Sequence, residues 1–297
     1  MNFNNLFSKA TIIIVTFKSF NIIEKCITNL NKNFNILIVE NSADTKFTSN
    51  LEQKYNNVKC INIGYDSGFG YALNRGVEKV KTEYFISMNP DTFPQGDCLE
   101  KLINIADTRK DVAMVTPLTL LKQNTKEFSA YGYFKKRNIV KSTENLLEVD
   151  WVNGNIFLMK KLFFQEIGSF DEKIFIEYDE RELQRRIFLN NKKVLINFNA
   201  KSQHLDGKSA DEEFSFQMKC ERSWHNAWSG FYYYKKHFGI IYSLYKCLPF
   251  AVANLIKFII YFIIQNKKKS KIYKLFFLGF LYSLTNQKSS YRAEIDY

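Results

Sequence analysis

The stretch Phe85-Ile86-Ser87-Met88-Asn89-Pro90-Asp91-Thr92 decides how the chain is expected to fold. An apolar run typical of a buried β-strand stops there at a proline and an aspartate. In an open α/β sheet, ligands bind outside the carboxyl ends of the strands, so Asp91 is expected at a ligand-binding edge. An Asn-Pro-Asp sequence at a strand end is by itself most often a plain turn. The surrounding sequence decides between the two interpretations.

Strands and helices alternate along the first third of the chain. Strands are predicted where β-branched and aliphatic residues run together, at Thr11–Phe17, Asn35–Val39, Val58–Ile63 and Tyr84–Met88. Helices are predicted between them, at Asn21–Leu30, Asn50–Tyr55 and Gly68–Val80. This alternation predicts an α/β fold with a Rossmann-like, mostly parallel central sheet and helices on both faces. Right-handed crossovers would bring the strand ends to one side.

The middle of the chain continues the pattern less regularly. Predicted elements are a helix from Asp97 to Asp107, strands Val112–Thr116, Trp151–Met159 and Val194–Phe198, and a short helix Lys161–Ile167. The polar region Lys122–Val149 is interpreted as a variable insertion. Residues 1–239 are predicted to form one catalytic-type domain, and residues 240–297 a membrane-associating helical segment.

Composition bounds the class of protein. Hydrophobic residues make up 46% and charged residues 24%, which is typical of a globular chain. The formal net charge of +12 favours phosphate-bearing partners, which include nucleotides, anionic lipids and nucleic acids. The five cysteines are scattered without metal-type spacing, which favours reduced thiols in the cytosol. Met1–Ala10 has no apolar core behind a basic start, so no signal peptide is expected.

The C-terminal segment departs from this soluble pattern. Cys247–Ile264 is almost entirely apolar, five lysines lie between Lys267 and Lys274, and Ile272–Leu284 is again rich in aromatic and aliphatic residues. The favoured interpretation is helices that lie in a membrane interface with their lysines on anionic headgroups. The alternative is a helical hairpin buried in a soluble fold.

An acidic cluster and a lone histidine follow the strand region. Glu177-Tyr178-Asp179-Glu180-Arg181-Glu182 comes before His204, and together with Asp91 they favour metal-assisted transfer on a phosphate-bearing donor. The cluster has a second interpretation, since acidic side chains are favoured at a helix N-terminus. A single histidine beside a strand is equally compatible with a structural role.

Five segments in order resemble the family-2 glycosyltransferases, which have the GT-A fold and act on nucleotide-diphosphate sugars. They are Ile12–Phe17; Val39-Glu40-Asn41-Ser42; Asp66-Ser67-Gly68-Phe69-Gly70-Tyr71-Ala72-Leu73-Asn74-Arg75-Gly76; Met88-Asn89-Pro90-Asp91-Thr92; and Gly154 through Arg186. The similarity is greatest to the rhamnosyltransferase-like and galactofuranosyltransferase-like branch that builds bacterial surface polysaccharides. Glu40, Asp66 and Asp179-Glu180 replace the family's usual aspartate, asparagine and Glu-Asp at these places, which shifts the oxygen atoms by about one methylene.

The resemblance implies roles for individual residues. Asp91 and His204 would hold Mg²⁺ or Mn²⁺, Glu180 would be the catalytic base, and Asp179 would support it. The nucleotide sugar would be bound by Thr16, Glu40, Gly68, Asn74, Arg75 and Asn89. The acceptor side would be formed by Trp151, Asn153, Gly154 and Glu182. For Trp151, an ordinary core position is nearly as well supported an interpretation.

The activity implied is inverting, metal-dependent transfer of a sugar to a lipid-linked or polysaccharide acceptor at the cytoplasmic face of the membrane. One alternative is transfer to polyprenyl phosphate itself, although Asn89 replaces an acid expected in such enzymes. Another is a basic nucleic-acid-binding protein. That reading is disfavoured, because the lysines cluster beside apolar segments and no nucleic-acid motif is present.

Overall fold

A computed structural model describes residues 4–121, 126–127, 130–134, 141–143, 145–205 and 212–292. The chain divides into two compact units. The first comprises residues 1–67, 71–170 and 183–211, and the second comprises residues 68–70, 171–182 and 212–297. The second unit therefore takes in the acidic cluster and everything after residue 211, whereas the boundary at residue 239 stays a prediction.

The first unit begins with the alternating elements that the sequence predicts. They are α1 (Asn4–Phe7), β1 (Ala10–Thr16), α2 (Ile23–Asn29), β2 (Asn35–Glu40), α3 (Thr45–Lys54), β3 (Val58–Asn62), α4 (Phe69–Lys79) and β4 (Tyr84–Met88). Strand β1 pairs in parallel with β2 and β4, and β2 with β3, so that Thr16 lies opposite Glu40. Ile12, Ile13 and Ile14 are fully buried because the strand is covered on both faces.

The remaining elements complete the sheet. They are β5 (Thr92–Gln95), α5 (Cys98–Thr108), β6 (Val112–Leu121), β7 (Lys126–Glu127), β8 (Tyr131–Gly132), β9 (Lys141–Thr143), β10 (Leu146–Val149), β11 (Trp151–Val152), β12 (Ile156–Lys160), α6 (Lys161–Glu166), α7 (Asp179–Leu189) and β13 (Lys193–His204). The strand order is β3-β2-β1-β4-β12-β6-β13-β10-β9. Strand β12 runs antiparallel to both of its neighbours, so the sheet is mixed, with parallel pairs from β3 through β4 and between β6 and β13.

Several predicted boundaries were wrong for identifiable reasons. Helix α3 begins at Thr45 rather than Asn50, because the Asp44 carboxylate caps it by accepting a hydrogen bond of 2.9 Å from the Phe47 N–H. The predicted strand Trp151–Met159 is two strands, interrupted at residues 153–155, where Asn-Gly-Asn is a turn sequence. Strands β6 and β13 are longer than predicted, with register shifts where they bend. Within the predicted insertion Lys122–Val149, strands β7 to β10 are described, whereas residues 122–125, 128–129, 135–140 and 144 lie outside the described residues.

The second unit is built on three helices, α8 (Ser215–Phe238), α9 (Ile240–Ile263) and α10 (Lys267–Leu284). Phe231 on α8, Ala251 on α9 and Phe280 on α10 share one apolar core. Gly279 permits close packing of α10 on α8, since a side chain there would overlap the backbone carbonyl of Trp224. The apolar and basic pattern of the sequence predicted α9 and α10 but not α8.

Helix α9 is long and apolar enough to cross a membrane, and only 6% of its most apolar window is buried. Ser243 and Ala251 are its buried residues, whereas Ile241, Phe250 and Phe262 are 83%, 65% and 69% exposed. Within the part of the chain that the structure describes, α9 is therefore not the core of a buried hairpin. A contiguous apolar face of this kind marks a surface that another apolar phase or molecule covers.

Candidate functional site

Asp91 and His204 lie together at the carboxyl edge of the sheet. After β4 ends at Met88, the chain turns through Asn89 and Pro90 into β5, which pairs antiparallel with the end of β13 so that Thr92 lies opposite His204. The Leu205 N–H donates a hydrogen bond of 3.0 Å to the Asp91 carbonyl oxygen. As a result, His204 Nε2 lies 3.2 Å from Asp91 Oδ1. The sequence predicted both residues but not β5, the strand that brings them together.

This pair fits a divalent cation. The Asp91 side chain is fully buried and that of His204 is 8% exposed, so a carboxylate and an imidazole face each other with little water around them. Carboxylate oxygen and imidazole nitrogen suit Mn²⁺, and Mg²⁺ typically takes one or two carboxylates together with substrate phosphates. No group of three or more His, Cys, Asp or Glu side chains forms a metal site among the described residues. The remaining ligands would therefore come from substrate and water.

Cys26 lies close to this pair without being suited to join it. Its thiol contacts the Thr92 carbonyl oxygen at 3.8 Å. Burial, followed by the charge of Asp91, raises the pKa of the Cys26 thiol far above its usual value. Since only a thiolate is a good metal ligand, Cys26 serves as an apolar residue of the core.

Thr16 and Glu40, two of the predicted nucleotide-sugar-binding residues, meet at the ends of β1 and β2. The Thr16 hydroxyl donates to Glu40 Oε2 at 2.6 Å, and the Ser42 hydroxyl donates to Oε1 at the same distance. Burial raises the pKa of Glu40, although these two hydrogen bonds act in the opposite direction. Both carboxylate oxygens are thus engaged within the chain, and Glu40 holds the two hydroxyls in fixed positions. A contact of Glu40 with ribose stays a prediction.

A neighbouring network was not predicted. The Asn41 side-chain amide donates to Asp66 Oδ1 at 3.0 Å, and its oxygen accepts hydrogen bonds from the Ser67 N–H and hydroxyl at 3.1 and 2.6 Å. It joins the end of β2 to the loop before α4. The signal in the sequence was Asn41 directly after Glu40, because a polar residue at the end of a buried strand needs a partner.

Three predicted nucleotide-sugar residues are engaged with the protein itself. Gly68 has φ +85°, and a side chain there would overlap the carbonyl of Phe175, so this glycine serves packing within the second unit. The Asn74 amide forms two hydrogen bonds with the backbone of Phe170, at 3.1 and 3.0 Å. The Arg75 guanidinium pairs with Glu78 at 2.9 Å and lies 4.7 Å from the centre of the Tyr71 ring. Asn89 is half-buried beside Asp91.

The predicted acceptor-side residues 151–154 form part of the first unit. The Trp151 indole packs on Gly132, where a side chain would approach the ring to 2.7 Å. The Asn153 N–H donates to the Ala130 carbonyl at 3.0 Å, and Gly154 is buried. Gln184, which the sequence analysis did not single out, is fully buried and forms two hydrogen bonds of 2.6 and 2.8 Å with the Val152 backbone. Gln184 therefore fixes this strand.

The acidic cluster begins α7 and follows a strained turn. Glu177 and Tyr178 both have φ +63°, a left-handed conformation that side chains other than Gly adopt at a cost of about 1–3 kcal/mol each. Asp179 is buried and Glu180 half-buried. Burial is the main cause that raises the pKa of both carboxyls, and the charge of Glu177 adds to it. Among the described residues, no hydrogen bond or ion pair holds the Glu180 carboxylate, which suits a base.

Helix α8 holds this turn in place. The Ser229 hydroxyl donates to the Ile176 carbonyl oxygen at 2.9 Å, and Arg222 Nε donates to Glu177 Oε1 at 2.7 Å. His225 packs on the Phe175 ring with 4.6 Å between ring centres. Burial lowers the pKa of His225 to about 3, so its ring is neutral. Because a carbonyl only accepts, Nε2 carries the proton that bonds Tyr291 O at 2.9 Å.

Glu182 differs from Glu180, although both were predicted as site residues. Its carboxylate is fully buried and accepts from Lys236 Nζ at 2.7 Å, with His237 Nε2 at 3.2 Å. Lys236 also bonds Asp171 at 2.6 Å. Glu182 therefore belongs to a buried ion-pair network within the second unit, and its predicted contact with the acceptor stays a prediction.

Opposite stability effects are expected for the two glutamates. Because the pKa of Glu180 is raised in the folded state, the stability from its neutral form is present at low pH and is lost as the pH rises through that pKa. Glu180→Gln should therefore unfold at or above the wild-type temperature at pH 8, and the difference should narrow towards pH 5. Glu182→Gln should lose on the order of 2 kcal/mol, below the usual cost of breaking a buried pair because Lys236 keeps Asp171. Thermal unfolding at both pH values measures this; a larger loss for Glu180→Gln would contradict it.

The fold and the Asp91–His204 pair place the chain among α/β proteins that bind ligands at the carboxyl edge of the sheet. Within that class, the model of the family "Glycosyl transferase family 2" matches residues 11–168. This is more than half of the chain, so the chain belongs to the family.

Two curated relatives are uncharacterized glycosyltransferases of Rickettsia typhi and Rickettsia prowazekii. They are 27% identical to this chain over 165 and 164 residues, which cover 53% of the chain and 50% of each relative. The chain thus spans about half the length of the curated relatives it matches.

Solved structures share the fold at low identity. A mannosyltransferase from Pyrobaculum calidifontis, PcManGT, in complex with GDP-Man and Mn²⁺ has a TM-score of 0.56 at 10% identity, over 94% of this chain and 87% of that one. S. aureus TarS in complex with UDP-GlcNAc has a TM-score of 0.52 at 12% identity, over 94% and 92%. GalNAc-T7 with UDP, GalNAc and Mn²⁺ has a TM-score of 0.55 at 14% identity, over 66% and 43%. They confirm the predicted GT-A fold class.

Proposed function

We propose that the chain is an inverting, metal-dependent glycosyltransferase. It moves a sugar, rhamnose-like or another hexose, from a nucleotide-diphosphate sugar to a lipid-linked or polysaccharide acceptor in bacterial surface glycan synthesis. The observation that carries the proposal is the buried contact of 3.2 Å between Asp91 and His204 at the ligand-binding edge of the sheet. Family membership and neighbours solved with nucleotide sugars and Mn²⁺ support it.

The chemistry needs a proton acceptor and a stabilised leaving group. The acceptor oxygen forms a bond to the anomeric carbon as the bond to the diphosphate breaks, with inversion, and Glu180 takes the proton of the attacking hydroxyl. Asp91 and His204 would hold Mg²⁺ or Mn²⁺, which neutralises charge on the departing diphosphate when bound. Asp179 supports Glu180, since its negative charge raises the pKa of Glu180 and neighbouring acids resist ionising together.

The binding roles follow the position of each residue. Thr16 and Glu40 would edge the base and ribose, while Gly68, Asn74, Arg75 and Asn89 would shape the pocket for the nucleotide sugar. Trp151, Asn153, Gly154 and Glu182 would lie on the acceptor side. The side chains of Asn74 and Glu182 already bond the protein, and Gly68 packs closely on Phe175, so the proposed role of these three residues is to hold neighbouring groups in place.

Donor turnover tests the function directly. The purified chain is incubated with a panel of nucleotide sugars, prenyl-phosphate-linked saccharides and Mg²⁺ or Mn²⁺, and nucleoside diphosphate is measured. Asp91→Asn should abolish release, and His204→Gln should raise the Mn²⁺ concentration needed for half-maximal rate roughly 10- to 100-fold. Absence of release from every donor, or an unchanged metal titration in both variants, contradicts the proposal.

The pH profile tests Glu180 as the base. Arg222 lowers its pKa, whereas Asp179 and Glu177 raise it. In Arg222→Met the base form should therefore appear only at higher pH, and the acidic limb of kcat/KM should move upwards. In Glu177→Gln the acidic limb of kcat/KM should move to lower pH. In the double variant Arg222→Met/Glu177→Gln it should lie between those of the two single variants.

Lys219→Met is the matched control, because Lys219 is an exposed cation on the same helix. In Lys219→Met the acidic limb of kcat/KM should stay at the wild-type pH. Glu180→Gln should lose roughly 100- to 10,000-fold in kcat, as expected for removal of a general base. An equal shift in Arg222→Met and Lys219→Met would contradict a specific role for the Arg222–Glu177 pair.

The same proposal places the chain on the inner face of the cell membrane. Ile241, Phe250 and Phe262 on α9 are exposed and apolar, and Lys267, Lys271 and Lys274 are all exposed and lie on one side of α10 by their spacing. Apolar burial and attraction to anionic lipid act together in such an arrangement. Direct binding of nucleic acid is not proposed.

Vesicle flotation tests this placement with the full chain. Replacing Lys267, Lys271 and Lys274 by Gln should weaken binding to vesicles containing phosphatidylglycerol by up to about 100-fold, at about 1 kcal/mol per lysine. Replacing the exposed Lys32, Lys46 and Lys59 of the first unit removes the same charge and should have a much smaller effect. Equal losses of vesicle binding in the two triple variants would show that binding depends only on the net charge of the chain, which would contradict the placement.

A further inference from the structure

Five aromatic rings form a continuous strip in the second unit. The strip consists of Tyr178, Tyr234, Phe238, Tyr242 and Tyr245. Ring centres are 6.1 Å apart between Tyr178 and Tyr234, 6.2 Å between Tyr234 and Phe238, and 4.9 Å between Phe238 and Tyr242. Tyr242 and Tyr245 are 6.3 Å apart. The aromatic strip therefore runs from the start of α7, along the end of α8, to the first turns of α9.

The outer part of the aromatic strip is exposed. Phe238, Tyr242 and Tyr245 are 39%, 37% and 73% exposed. On another face of α8, Trp224, Trp228 and Tyr232 also stack, but there the two tryptophans are only 2% and 4% exposed and pack with α10 and the segment after it. Packing thus accounts for the buried ladder, whereas the outer rings of the strip are partly open to solvent.

The backbone at the α8–α9 junction maintains the strip across two helices. Gly239 has φ +85° and lies between Phe238 and the start of α9. A side chain there would meet no atom within 4 Å, so the glycine is needed for its left-handed conformation rather than for space. The bend it permits keeps Phe238 and Tyr242 in contact although they belong to different helices.

Two cations border the aromatic strip. Arg181 lies 5.6 Å from the ring centre of Tyr178, and Lys246 lies 5.6 and 5.7 Å from those of Tyr242 and Tyr245. A cation over an exposed ring is held by about 0.5–1 kcal/mol, and it keeps its charge available to an anion. The strip thus combines ring faces with positive charge at both ends.

The two ends of the strip differ in their surroundings. At the inner end, Tyr178 precedes Asp179 and Glu180 in the chain, and burial raises its pKa to about 12, so its hydroxyl stays neutral. At the outer end, Ile241, Leu248 and Val252 continue the exposed surface along α9 as an apolar face. One end therefore meets the proposed base and the other a surface suited to hydrocarbon.

We propose that the aromatic strip binds the acceptor, and that the acceptor is an amphiphile with a sugar, an anionic phosphate and an apolar chain. The proposal rests on the function proposed above. The sugar stacks on the inner rings with its hydroxyl towards Glu180, the phosphate lies at Lys246, and the chain lies along α9. Aromatic faces suit sugar rings and hydrocarbon alike, because each ring offers a broad apolar surface and the hydroxyl of tyrosine adds a polar group at its edge.

A plain membrane belt of tyrosines explains the outer rings but not the inner end. Aromatic belts lie at the depth of lipid headgroups. Tyr178, however, directly follows Glu177, and the charge of that side chain opposes approach to an anionic lipid surface. A ligand whose neutral sugar lies at this end of the strip is not repelled in this way.

Calorimetric titration of the full chain with small soluble probes tests the proposal without relying on catalysis. The probes are geranyl phosphate, geraniol and methyl phosphate. Geranyl phosphate should bind at least about tenfold more tightly than either fragment, since both parts of the strip contribute. Tyr242→Ala should weaken it roughly five- to tenfold, within the range of one aromatic contact. Lys246→Gln should remove the preference over geraniol.

Tyr282→Ala is the matched control, because Tyr282 on α10 has the same 37% exposure as Tyr242. It should bind geranyl phosphate as the wild type does. Equal losses in Tyr242→Ala and Tyr282→Ala, or equal affinity for all three probes, would overturn the proposal. So would a Tyr242→Ala variant that loses only vesicle binding, since the strip would then be a membrane belt.

A catalytic readout separates this proposal from the function it rests on. With a prenyl-phosphate-linked saccharide as acceptor, Tyr242→Ala should raise the acceptor KM with little change in kcat or in donor affinity. If wild type transfers no sugar but binds geranyl phosphate through Tyr242, the proposed function fails and the amphiphile site stands. If wild type transfers sugar equally well to the unlinked saccharide, the function stands and the amphiphile site fails.

Discussion

Burial of negative charge is the constraint on which the rest of the structure depends. Asp91, Glu40 and Asp179 are at most 4% exposed, and each would be destabilising without compensation. Each is compensated differently: Glu40 by two hydroxyl donors, Asp91 by contact with an imidazole, and Asp179 by a raised pKa that favours its neutral form. Asp91 and Asp179 can therefore still react with or bind a ligand. Glu40 is less able to do so, because both of its carboxylate oxygens already accept hydrogen bonds.

The helix α8 gives the acidic turn its shape. Two successive residues in the left-handed conformation persist only where surrounding contacts over-determine them. Ser229 and Arg222 supply these contacts to the backbone of Ile176 and the side chain of Glu177, and the Tyr178 ring lies against Gly230, where a side chain would approach it to 3.2 Å. One face of α8 therefore positions the acids while another packs on α10.

Sequence patterns predicted the parallel half of the sheet closely, because β1, β2 and β4 are continuous apolar runs whose neighbours are local. They did not predict β5, whose Thr-Phe-Pro-Gln sequence contains a proline that only an edge position tolerates. Nor did they predict α8, since its buried residues include Glu221, His225 and Ser229, whose burial depends on partners distant in the chain. Asp91 and His204 could be predicted by resemblance, but their contact depends on the unpredicted pairing of β5 with β13.

Glu180 and Glu182 show where sequence reasoning reaches its limit. They are two residues apart at the start of one helix, and residue type and local spacing treat them alike. What separates them is Lys236, which comes from the end of α8 and neutralises Glu182 while leaving Glu180 to the charges of Asp179, Glu177 and Arg222. A carboxylate that is paired with a cation stabilises the fold. For a carboxylate beside like charges the ionised form is disfavoured, so that it takes up a proton more readily. The distinction between a structural and a reactive acid thus lies in tertiary contacts, and only the folded chain supplies them.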